Sequence, residues 1–482
     1  MSFETRKKAN RSEAGYNGFT GYLRKSYLKW SSAVTDVNTT NVADESADFA
    51  QDSPGMDLPA SKYVILIGDG MADFPIDDLG GKTVLEVART PAMDRLARLG
   101  ELGRVLTIPE GFPPGSDVAN MSLLGYPPEK FYTGRGPLEA AAMGVQMNPE
   151  DVAFRCNLVT LRFTEGRVYM VDYSAGHISS EEARILINDL SLLVSGRSFE
   201  LFAGISYRHL LLWRGGPEGI STVPPHDLTG MDVTEAWHIY EEEPLLYELL
   251  TKAITFFHRH SVNEKRRAEG KLPANALWPW GQGRRPLFAT FSQLYDIDSA
   301  VVAAVDLIRG LGVCAGMEVI NVPGATGYLD TNYRAKADAA LRALKEKTLV
   351  VVHVEAPDEA GHMGDVREKI RAIERFDKEV VGPVMDGLRD TGVSYRILVA
   401  TDHYTPVSLK THSPGPVPYV IYDSSSTNGN SDATFNEPAA EQSPVMIKEG
   451  CKLMQRFIGV APRELELDTK KKPSEYRSAR SN

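Results

Sequence analysis

Short runs of apolar, often β-branched residues alternate along the chain with longer stretches of helical periodicity. The clearest short runs predict strands at 63–67, 349–354 and 396–400, and each run is almost continuously apolar. Strands of a parallel sheet have this pattern because helices bury both faces of such a sheet. The longer stretches predict the helices that cover it, at 84–99, 299–311 and 335–345. The pattern therefore predicts an α/β fold in which a mostly parallel sheet carries helices on both faces.

The length of the chain predicts more than one folded unit. A single hydrophobic core seldom grows beyond about 250–300 residues, and this chain has 482. Residues 148–286 are richer in Arg and His than the flanking sequence, and we interpret them as an inserted, smaller α+β domain. Two parts, 61–147 and 287–465, then form the core. Outside this core, we interpret residues 1–60 as a loosely ordered extension and residues 466–482 as a basic tail.

Composition and charge exclude several classes of protein. Hydrophobic residues make up 42% of the chain and charged residues 24%, which is typical of a globular protein. A net charge of −11 offers no basic surface for nucleic acid. The three cysteines are far apart and predict neither disulfides nor a metal site. No apolar run approaches the ~18 residues of a membrane-spanning helix and no secretory signal is recognisable, so we predict a soluble cytoplasmic protein.

Each of the three clearest strands is followed closely by an aspartate: Asp69, Asp358 and Asp402. Ligands of open α/β sheets bind outside the carboxyl ends of the strands. The three carboxylates are therefore expected to meet at one edge of the sheet. An aspartate after a strand most often caps a helix, so each of these aspartates alone would be weak evidence for a metal site.

Histidines accompany these aspartates and change that interpretation, because a helix cap needs no imidazole. His362 lies four residues after Asp358, His403 directly follows Asp402, and His412 lies further on. Carboxylate and imidazole together suit Zn²⁺ or Mn²⁺, whereas Mg²⁺ usually prefers oxygen ligands. The sequence thus predicts a pair of metal ions, whose excess positive charge favours an anionic substrate. His353 lies inside a predicted strand, and we interpret it as a packed residue or a neighbour of the ligands.

Ser116 is the best candidate for a nucleophile. It follows Gly115 and begins a stretch of helical pattern. A hydroxyl at a helix N-terminus faces free backbone N–H groups that would also hold a transferred phosphate. A helix-capping serine without chemistry is the alternative, and the metal constellation is what favours catalysis.

Taken together, these segments resemble the alkaline-phosphatase superfamily and, within it, the archaeal-type cofactor-independent (2,3-bisphosphoglycerate-independent) phosphoglycerate mutases. The resemblance spans roughly residues 61–462. It rests on GDGMAD at 68–73, GSDVAN at 115–120, TGRGP at 133–137, FRCN at 154–157, YRH at 207–209, WGQG at 280–283, EAPDEAGH at 355–362 and ATDH at 400–403.

The resemblance implies an isomerase of glycolysis that interconverts 3-phosphoglycerate and 2-phosphoglycerate through a phosphoserine. It implies two divalent ions, usually manganese, with Zn²⁺, Co²⁺ and Mg²⁺ as alternatives. One ion would be held by Asp358, His362 and His412, and the other by Asp69, Ser116, Asp402 and His403. The inserted domain would grip the glycerate part of the substrate.

A mutase must hold glycerate while it reorients, so cations and a proton-transfer group are needed near it. The candidate cations are Arg155, Arg208, Arg284, Arg285 and Lys336. The candidate acids and bases, which the sequence does not rank, are His177, His226 and Asp227.

Two other functions stay open on the sequence alone. The same metal site would serve a phosphohydrolase or a phosphotransferase acting on another small phosphorylated metabolite. A non-catalytic protein that binds metal or a phosphorylated ligand is the third hypothesis. The sequence also leaves open whether the chain forms a homo-oligomer.

Overall fold

The computed structural model describes residues 60–194, 198–426 and 432–463. The predicted extension at 1–60, apart from Ala60, and the predicted basic tail at 466–482 lie outside the described residues. The strands are β1 Lys62–Gly68, β2 Glu101–Val105, β3 Val152–Thr164, β4 Arg167–Asp172, β5 Phe199–Phe202, β6 Arg208–Trp213, β7 Ala276–Gly283, β8 Ser299–Val302, β9 Glu318–Val319, β10 Leu349–Val354, β11 Tyr395–Thr401, β12 Val417–Asp423 and β13 Met446–Ile447.

The α-helices are α1 Val84–Val87, α2 Pro91–Leu99, α3 Ser116–Leu123, α4 Pro128–Phe131, α5 Arg135–Ala142, α6 Ser180–Val194, α7 Thr234–His238, α8 Pro244–His258, α9 Ser261–Ala268, α10 Phe291–Tyr295, α11 Asp306–Cys314, α12 Tyr333–Ala343, α13 Ala356–Met363, α14 Val366–Phe376, α15 Gly382–Arg389, α16 Glu437–Gln442 and α17 Lys452–Ile458. Short 3-10 helices lie at Asp77–Leu79, Pro225–Leu228 and Ile239–Glu242, and a π-helix at Asp377–Val381.

Eight strands form the main sheet in the order β13-β2-β12-β11-β1-β10-β8-β9. β1 pairs in parallel with β10 on one side and with β11 on the other, and β8 and β9 continue in the same direction. Among these eight strands only β12 is antiparallel to its neighbours. This confirms the predicted mostly parallel sheet.

Both faces of the main sheet are buried, which explains the unbroken apolar runs. Successive side chains of a strand point to opposite faces. Val64 and Leu66 of β1 join a cluster with residues of α2, α12 and α14, whereas Ile65 and Ile67 join a cluster with residues of α3, α11 and α17. The predicted helical layers on both faces are therefore confirmed.

Two of the predicted helices differ from the structure. The stretch 84–99 forms two helices, α1 and α2, with a break before Pro91, because proline disfavours helical geometry in the residue that precedes it. The prediction of helix at 299–302 was wrong: these residues form β8, and the helix α11 begins at Asp306. All four residues of β8 are buried, and a short apolar run does not distinguish a central strand from a buried helix.

The strands β3 to β7 form a second sheet, in which the paired strands are antiparallel. Apolar residues of α6 and α8 join its core. These elements lie within the residues predicted to form the inserted α+β domain, whose boundaries stay a prediction. Within the described ranges, no helix has the length and apolar character that crossing a membrane requires.

Candidate metal centre and nucleophile

The carboxyl ends of three adjacent parallel strands bring the predicted aspartates together. β1 lies between β10 and β11, and the last residues of the three strands are paired with one another. Asp69 and Asp402 directly follow β1 and β11, and Asp358 lies in the first turn of α13. Their exposed fractions are 3%, 0% and 8%, respectively. Three carboxylates buried this closely need positive charge between them.

Gly70 allows the chain to pass this close to the carboxylates. Its φ angle is 58°, in the left-handed region, and its N–H donates to Oδ1 of Asp402 at 2.9 Å. A Cβ atom at this position would collide with the side chains of Thr405 and Asp358. Glycine is therefore required by both conformation and space.

Ser116 lies among the ligands that the resemblance assigns to the second ion. It is the first residue of α3, and its Oγ lies 3.0 Å from Nε2 of His403. The same nitrogen lies 3.4 Å from Oδ1 of Asp69 and 3.4 Å from Oδ2 of Asp402. Asn120, one turn along the helix, donates 2.8 Å hydrogen bonds to the carbonyl of Ser116 and to Oδ2 of Asp402. These bonds fix the helix that carries the hydroxyl to the strand end that carries the carboxylate.

His362 and His412 converge on Asp358. Nε2 of His362 lies 3.2 Å from Oδ2 of Asp358, and Nε2 of His412 lies 3.5 Å from Oδ1. The two nitrogens are 3.1 Å apart. Burial opposes protonation here, but the hydrogen bond to Asp358 raises the pKa of His362 to about 9. The position therefore attracts positive charge.

Thr405 connects the two groups of predicted ligands. Its hydroxyl donates to Oδ1 of Asp358 at 2.5 Å and lies 3.2 Å from Nδ1 of His403. Because the hydroxyl proton is given to the carboxylate, Nδ1 of His403 is the donor in the second contact. Nε2 of a neutral His403 then presents its lone pair to Ser116 and the carboxylates.

The donor set fits divalent metal ions. Two ligands bound at ~2.1 Å to one ion, at angles near 90–110°, lie about 3.0–3.5 Å apart, and the contacts above range from 3.1 to 3.5 Å. Oδ1 of Asp69 is buried without a hydrogen-bond partner among the described residues. Burial and the nearby Asp402 and Asp358 raise the pKa of Asp69 well above its ordinary value, so an ionised Asp69 needs a cation beside it. Burial also lowers the pKa of His403 to about 4, which keeps the ring neutral, as a metal ligand must be.

A group of arginines from the second sheet and α5 surrounds Trp280. The guanidinium carbons of Arg155 and Arg135 lie 5.0 and 5.8 Å from the centre of the Trp280 ring system. Glu139 accepts from both, at 2.7 Å from Arg155 and 3.0 Å from Arg135. Burial lowers the pKa of Arg155 to about 10, but it remains protonated at neutral pH.

Arg208 and His226, two predicted substrate residues, lie near this group. The His226 ring is 5.4 Å from that of Trp280. Desolvation lowers the pKa of His226 to about 3, and the charges of Arg155 and Arg135 add to the effect. Burial and the neighbouring Asp358 raise the pKa of Glu359 to about 7, against the opposing charge of Arg208. Arg208 therefore lies within electrostatic reach of the metal-ligand helix α13.

The other two acid–base candidates differ in their surroundings. Desolvation raises the pKa of Asp227, and the charge of His412 opposes this rise, which places Asp227 near the metal centre. His177 is exposed, and its ring lies 6.3 Å from Tyr173 and 6.4 Å from Tyr207.

The remaining three candidate cations lie in different surroundings. Arg284 forms an ion pair with Glu218 at 2.8 Å. Arg285 lies near Cys314: burial raises the pKa of the Cys314 thiol to about 12, and the charge of Arg285 opposes this rise. Lys336 has an exposed fraction of 0%, and its Nζ donates to the carbonyl of His353 at 2.8 Å. In this conformation Lys336 has no surface that a substrate could touch, so we do not propose it as a substrate contact.

Sequence reasoning did not single out three residues that lie in or beside this site: Arg135, Glu139 and Thr405. Arg135 lies inside the TGRGP segment, which was a usable signal. Glu139 follows one helical turn later, so an Arg–Glu pair at this spacing was also visible. Nothing in the local sequence distinguishes Thr405 from a loop residue.

Comparison with known proteins agrees with the sequence resemblance. A family model described as 2,3-bisphosphoglycerate-independent phosphoglycerate mutase matches residues 97–263. A Geobacter sulfurreducens protein named as a probable enzyme of this kind is 48% identical over 397 residues, which cover 82% of this chain and 99% of the relative. A Methanosarcina barkeri protein with the same name, without "probable", is 52% identical over 383 residues, which cover 79% of this chain and 95% of that relative.

Two solved structures share the fold over nearly their whole length. The PH0037 protein of Pyrococcus horikoshii has a TM-score of 0.71 and 30% identity, and the match covers 85% of this chain and 100% of that one. The cofactor-independent phosphoglycerate mutase of Thermoplasma acidophilum has a TM-score of 0.55 and 26% identity, with 83% and 99% covered. These findings confirm the sequence resemblance: the chain belongs to the 2,3-bisphosphoglycerate-independent phosphoglycerate mutase family.

Proposed function

We propose that this enzyme interconverts 3-phosphoglycerate and 2-phosphoglycerate through a phosphoserine on Ser116. The observation that carries the proposal is the position of the Ser116 hydroxyl, 3.0 Å from Nε2 of His403 and beside the buried carboxylates. A serine that only capped a helix would not need these neighbours.

The reaction requires two transfers of one phosphoryl group. The oxygen of Ser116 attacks phosphorus, the bond from phosphorus to the glycerate 3-oxygen breaks, and that oxygen takes a proton. After glycerate has reoriented, its 2-hydroxyl loses a proton and attacks the phosphoserine, and the bond to the Ser116 oxygen breaks. Atoms and charge balance without a second phosphorylated cofactor.

Two bound divalent ions would lower the pKa of the Ser116 hydroxyl and offset the charge of the phosphoryl group. We propose Asp69, Ser116, Asp402 and His403 as ligands of one ion and Asp358, His362 and His412 as ligands of the other. The imidazoles in these sets favour Mn²⁺ or Zn²⁺ over Mg²⁺, and we propose Mn²⁺. The side chain of Asn120 orients Ser116 by holding its carbonyl.

We assign substrate binding to Arg135, Arg155 and Arg208. The planar guanidinium group matches the geometry of carboxylate and phosphate oxygens. Arg155 is held by Glu139 and stacked on Trp280, so it needs little reordering to bind an anion. For proton transfer at the glycerate hydroxyls we favour Asp227, because desolvation raises its pKa and the charge of His412, a proposed metal ligand, acts on it.

A phosphohydrolase would use the same metal centre, and the buried arginines favour the mutase over it. Hydrolysis needs water at the phosphoserine and no grip on the departing alcohol. Arg155 has a side-chain exposure of 7% and shares the single carboxylate of Glu139 with Arg135, so a bound substrate anion would offset the positive charge that remains. The glycerate carboxylate would supply that anion throughout the reaction.

The test follows phosphate from substrate to product. The enzyme loaded with Mn²⁺ is incubated with 3-phosphoglycerate, and phosphorus NMR is expected to show 2-phosphoglycerate without free phosphate. Mass spectrometry after a brief exposure is expected to find phosphate on Ser116. Glycerate and inorganic phosphate as the sole products would instead identify a phosphohydrolase.

A matched pair of variants isolates the nucleophile. Ser116→Ala should abolish both product and phosphoserine. Ser122 lies in the same helix, with an exposed fraction of 0%, and Ser122→Ala should retain both. Equal activity of the two variants would contradict the assignment.

A further inference from the structure

His353 lies at the base of the metal centre and is not among the ligands assigned above. It is the fifth residue of β10 and has an exposed fraction of 0%. Its Nε2 lies 3.6 Å from Oδ2 of Asp69 and has no hydrogen-bond partner among the described residues. A buried polar atom of this kind needs a partner, because leaving it unpaired costs the full desolvation of the group.

The ring of His353 is oriented in the same way as two of the proposed ligands. Nδ1 of His353 lies 3.1 Å from Oε1 of Glu355, Nδ1 of His362 lies 3.0 Å from the carbonyl of Lys410, and Nδ1 of His403 lies 3.2 Å from the Thr405 hydroxyl. In each case the other nitrogen, Nε2, faces a buried aspartate. Metal-bound histidines almost always have this arrangement, in which an acceptor holds the second nitrogen.

Two other histidines do not share it. Nδ1 of His209 accepts a hydrogen bond from the backbone N–H of Gly204, and Nδ1 of His260 accepts one from Val262. Among the described residues, Nε2 of His209 is buried with neither a hydrogen-bond partner nor a carboxylate in ion-pair contact. His209 therefore provides a matched comparison for His353.

Glu355 is itself held in place. Nζ of the buried Lys336 lies 3.5 Å from Oε2 of Glu355 and donates to the carbonyl of His353. The chain of contacts from Lys336 through Glu355 to His353 ends at Asp69. Lys336, which the sequence suggested as a substrate contact, thus stabilises the carboxylate behind the metal centre.

The chemistry of the facing atoms indicates a cation between them. Because the carboxylate of Glu355 accepts, Nδ1 of His353 is the donor in this contact, and in the neutral form of the ring Nε2 has a free lone pair. Oδ2 of Asp69 is also an acceptor. Two acceptors at 3.6 Å repel each other in a buried site, whereas two ligands that each lie ~2.1 Å from one ion are this far apart when the angle at the ion is about 120°.

We propose that Nε2 of His353 is a further metal ligand, acting with Oδ2 of Asp69 and with Asp402. One ligand atom from each of these residues lies within 4.8 Å of the others. Oδ1 of Asp69 lies toward His403 and Oδ2 lies toward His353, so each oxygen of this carboxylate faces a different imidazole. The proposal rests on the metal centre of the proposed function and adds a residue to it.

The test counts bound imidazoles in the wild-type enzyme. Pulsed electron paramagnetic resonance of the Mn²⁺-loaded enzyme, with isotope-labelled histidine, reports the nitrogens bound to manganese. We expect four, from His353, His362, His403 and His412. Three would overturn the proposal. This measurement needs no variant and so does not depend on how well one folds.

His353→Phe and the control His209→Phe then assign the fourth nitrogen. His353→Phe should lose one bound nitrogen and weaken Mn²⁺ binding, measured calorimetrically on the metal-free protein, by about 100-fold or more. His209→Phe should change neither. If His353→Phe binds Mn²⁺ more weakly but loses no bound nitrogen, His353 is a positioning residue whose protonated ring donates to Asp69. That result would overturn the proposal. Failure of the wild-type enzyme to bind any divalent ion would overturn the proposed function as well.

Discussion

Replacing Thr405 by valine tests whether one hydroxyl organises both halves of the metal centre. Valine keeps the shape of threonine and removes the oxygen. Thr405 has an exposed fraction of 0%, so water cannot replace the lost group without rearrangement. The change removes the hydrogen bond to Oδ1 of Asp358 and the acceptor for Nδ1 of His403.

The magnitude follows from the kind of bond that is lost. A hydrogen bond to a charged group contributes about 1.5–3 kcal/mol, and the bond from Thr405 to Asp358, at 2.5 Å, is of this kind. At 1.4 kcal/mol for each factor of ten, the loss corresponds to about a 10- to 150-fold weaker affinity for metal. His403, with its Nδ1–H unpaired, should also turn more freely, and kcat should fall with it.

The assay is calorimetric titration of the metal-free protein with Mn²⁺, together with mutase kinetics at saturating Mn²⁺. Thr405→Ser is the matched control, because it restores the hydroxyl and loses only a methyl group. The reasoning predicts weak binding by the valine variant and near-normal binding by the serine variant. Similar metal affinity in the two variants would refute it.

Three further predictions concern buried charges elsewhere in the structure. Glu139→Gln removes the counter-charge of the buried Arg155, and urea titration should show a free energy of unfolding lower by about 3 kcal/mol. Lys369→Met leaves the carboxylate of Asp73, 2.8 Å from the ammonium, unpaired and should lower the unfolding free energy by ~3–5 kcal/mol, part of which Asp73→Asn should restore in the double variant. Burial raises the pKa of Asp377 from 3.8 to about 6, so the folded state binds the proton of this carboxyl more tightly than the unfolded state does. The contribution of Asp377 to the free energy of unfolding therefore falls by about 3 kcal/mol as the pH rises from 3.8 to about 6. Asp377→Asn should flatten this part of the pH profile, and an unchanged slope would contradict the assignment.

The parts of the site that lie at strand ends were predictable from the sequence. Asp69 and Asp402 directly follow apolar runs, and parallel strands bring their carboxyl ends to one edge whatever their distance along the chain. The order of the strands was not needed for this inference. Ser116 was predictable only in combination with these residues, because serine at a helix start is common.

The residues that the sequence did not reveal act through contacts between distant segments. Thr405 matters because it meets Asp358, and no local pattern records that contact. From their own sequence segments, we interpret His353 as a residue inside a strand and Lys336 as a candidate cation for the substrate. Only the packing of α12 against β10 shows that they belong to one chain of contacts. The wrong helix at 299–302 has a similar origin, since a central strand and a buried helix are equally apolar over four residues.

The charged side chains near the two sheets suit the two tasks of the proposed reaction, which are to transfer the phosphoryl group and to retain glycerate. In the main sheet, three buried aspartates leave a need for positive charge, which divalent ions meet. Beside the second sheet, Arg155 of β3 and Arg135 of α5 share the single carboxylate of Glu139, so these three residues have one more positive than negative charge. Burying that excess is unfavourable unless an anion joins it. An anion such as the glycerate carboxylate would offset this excess charge, and it would thereby help these arginines to retain glycerate between the two transfers of the proposed reaction.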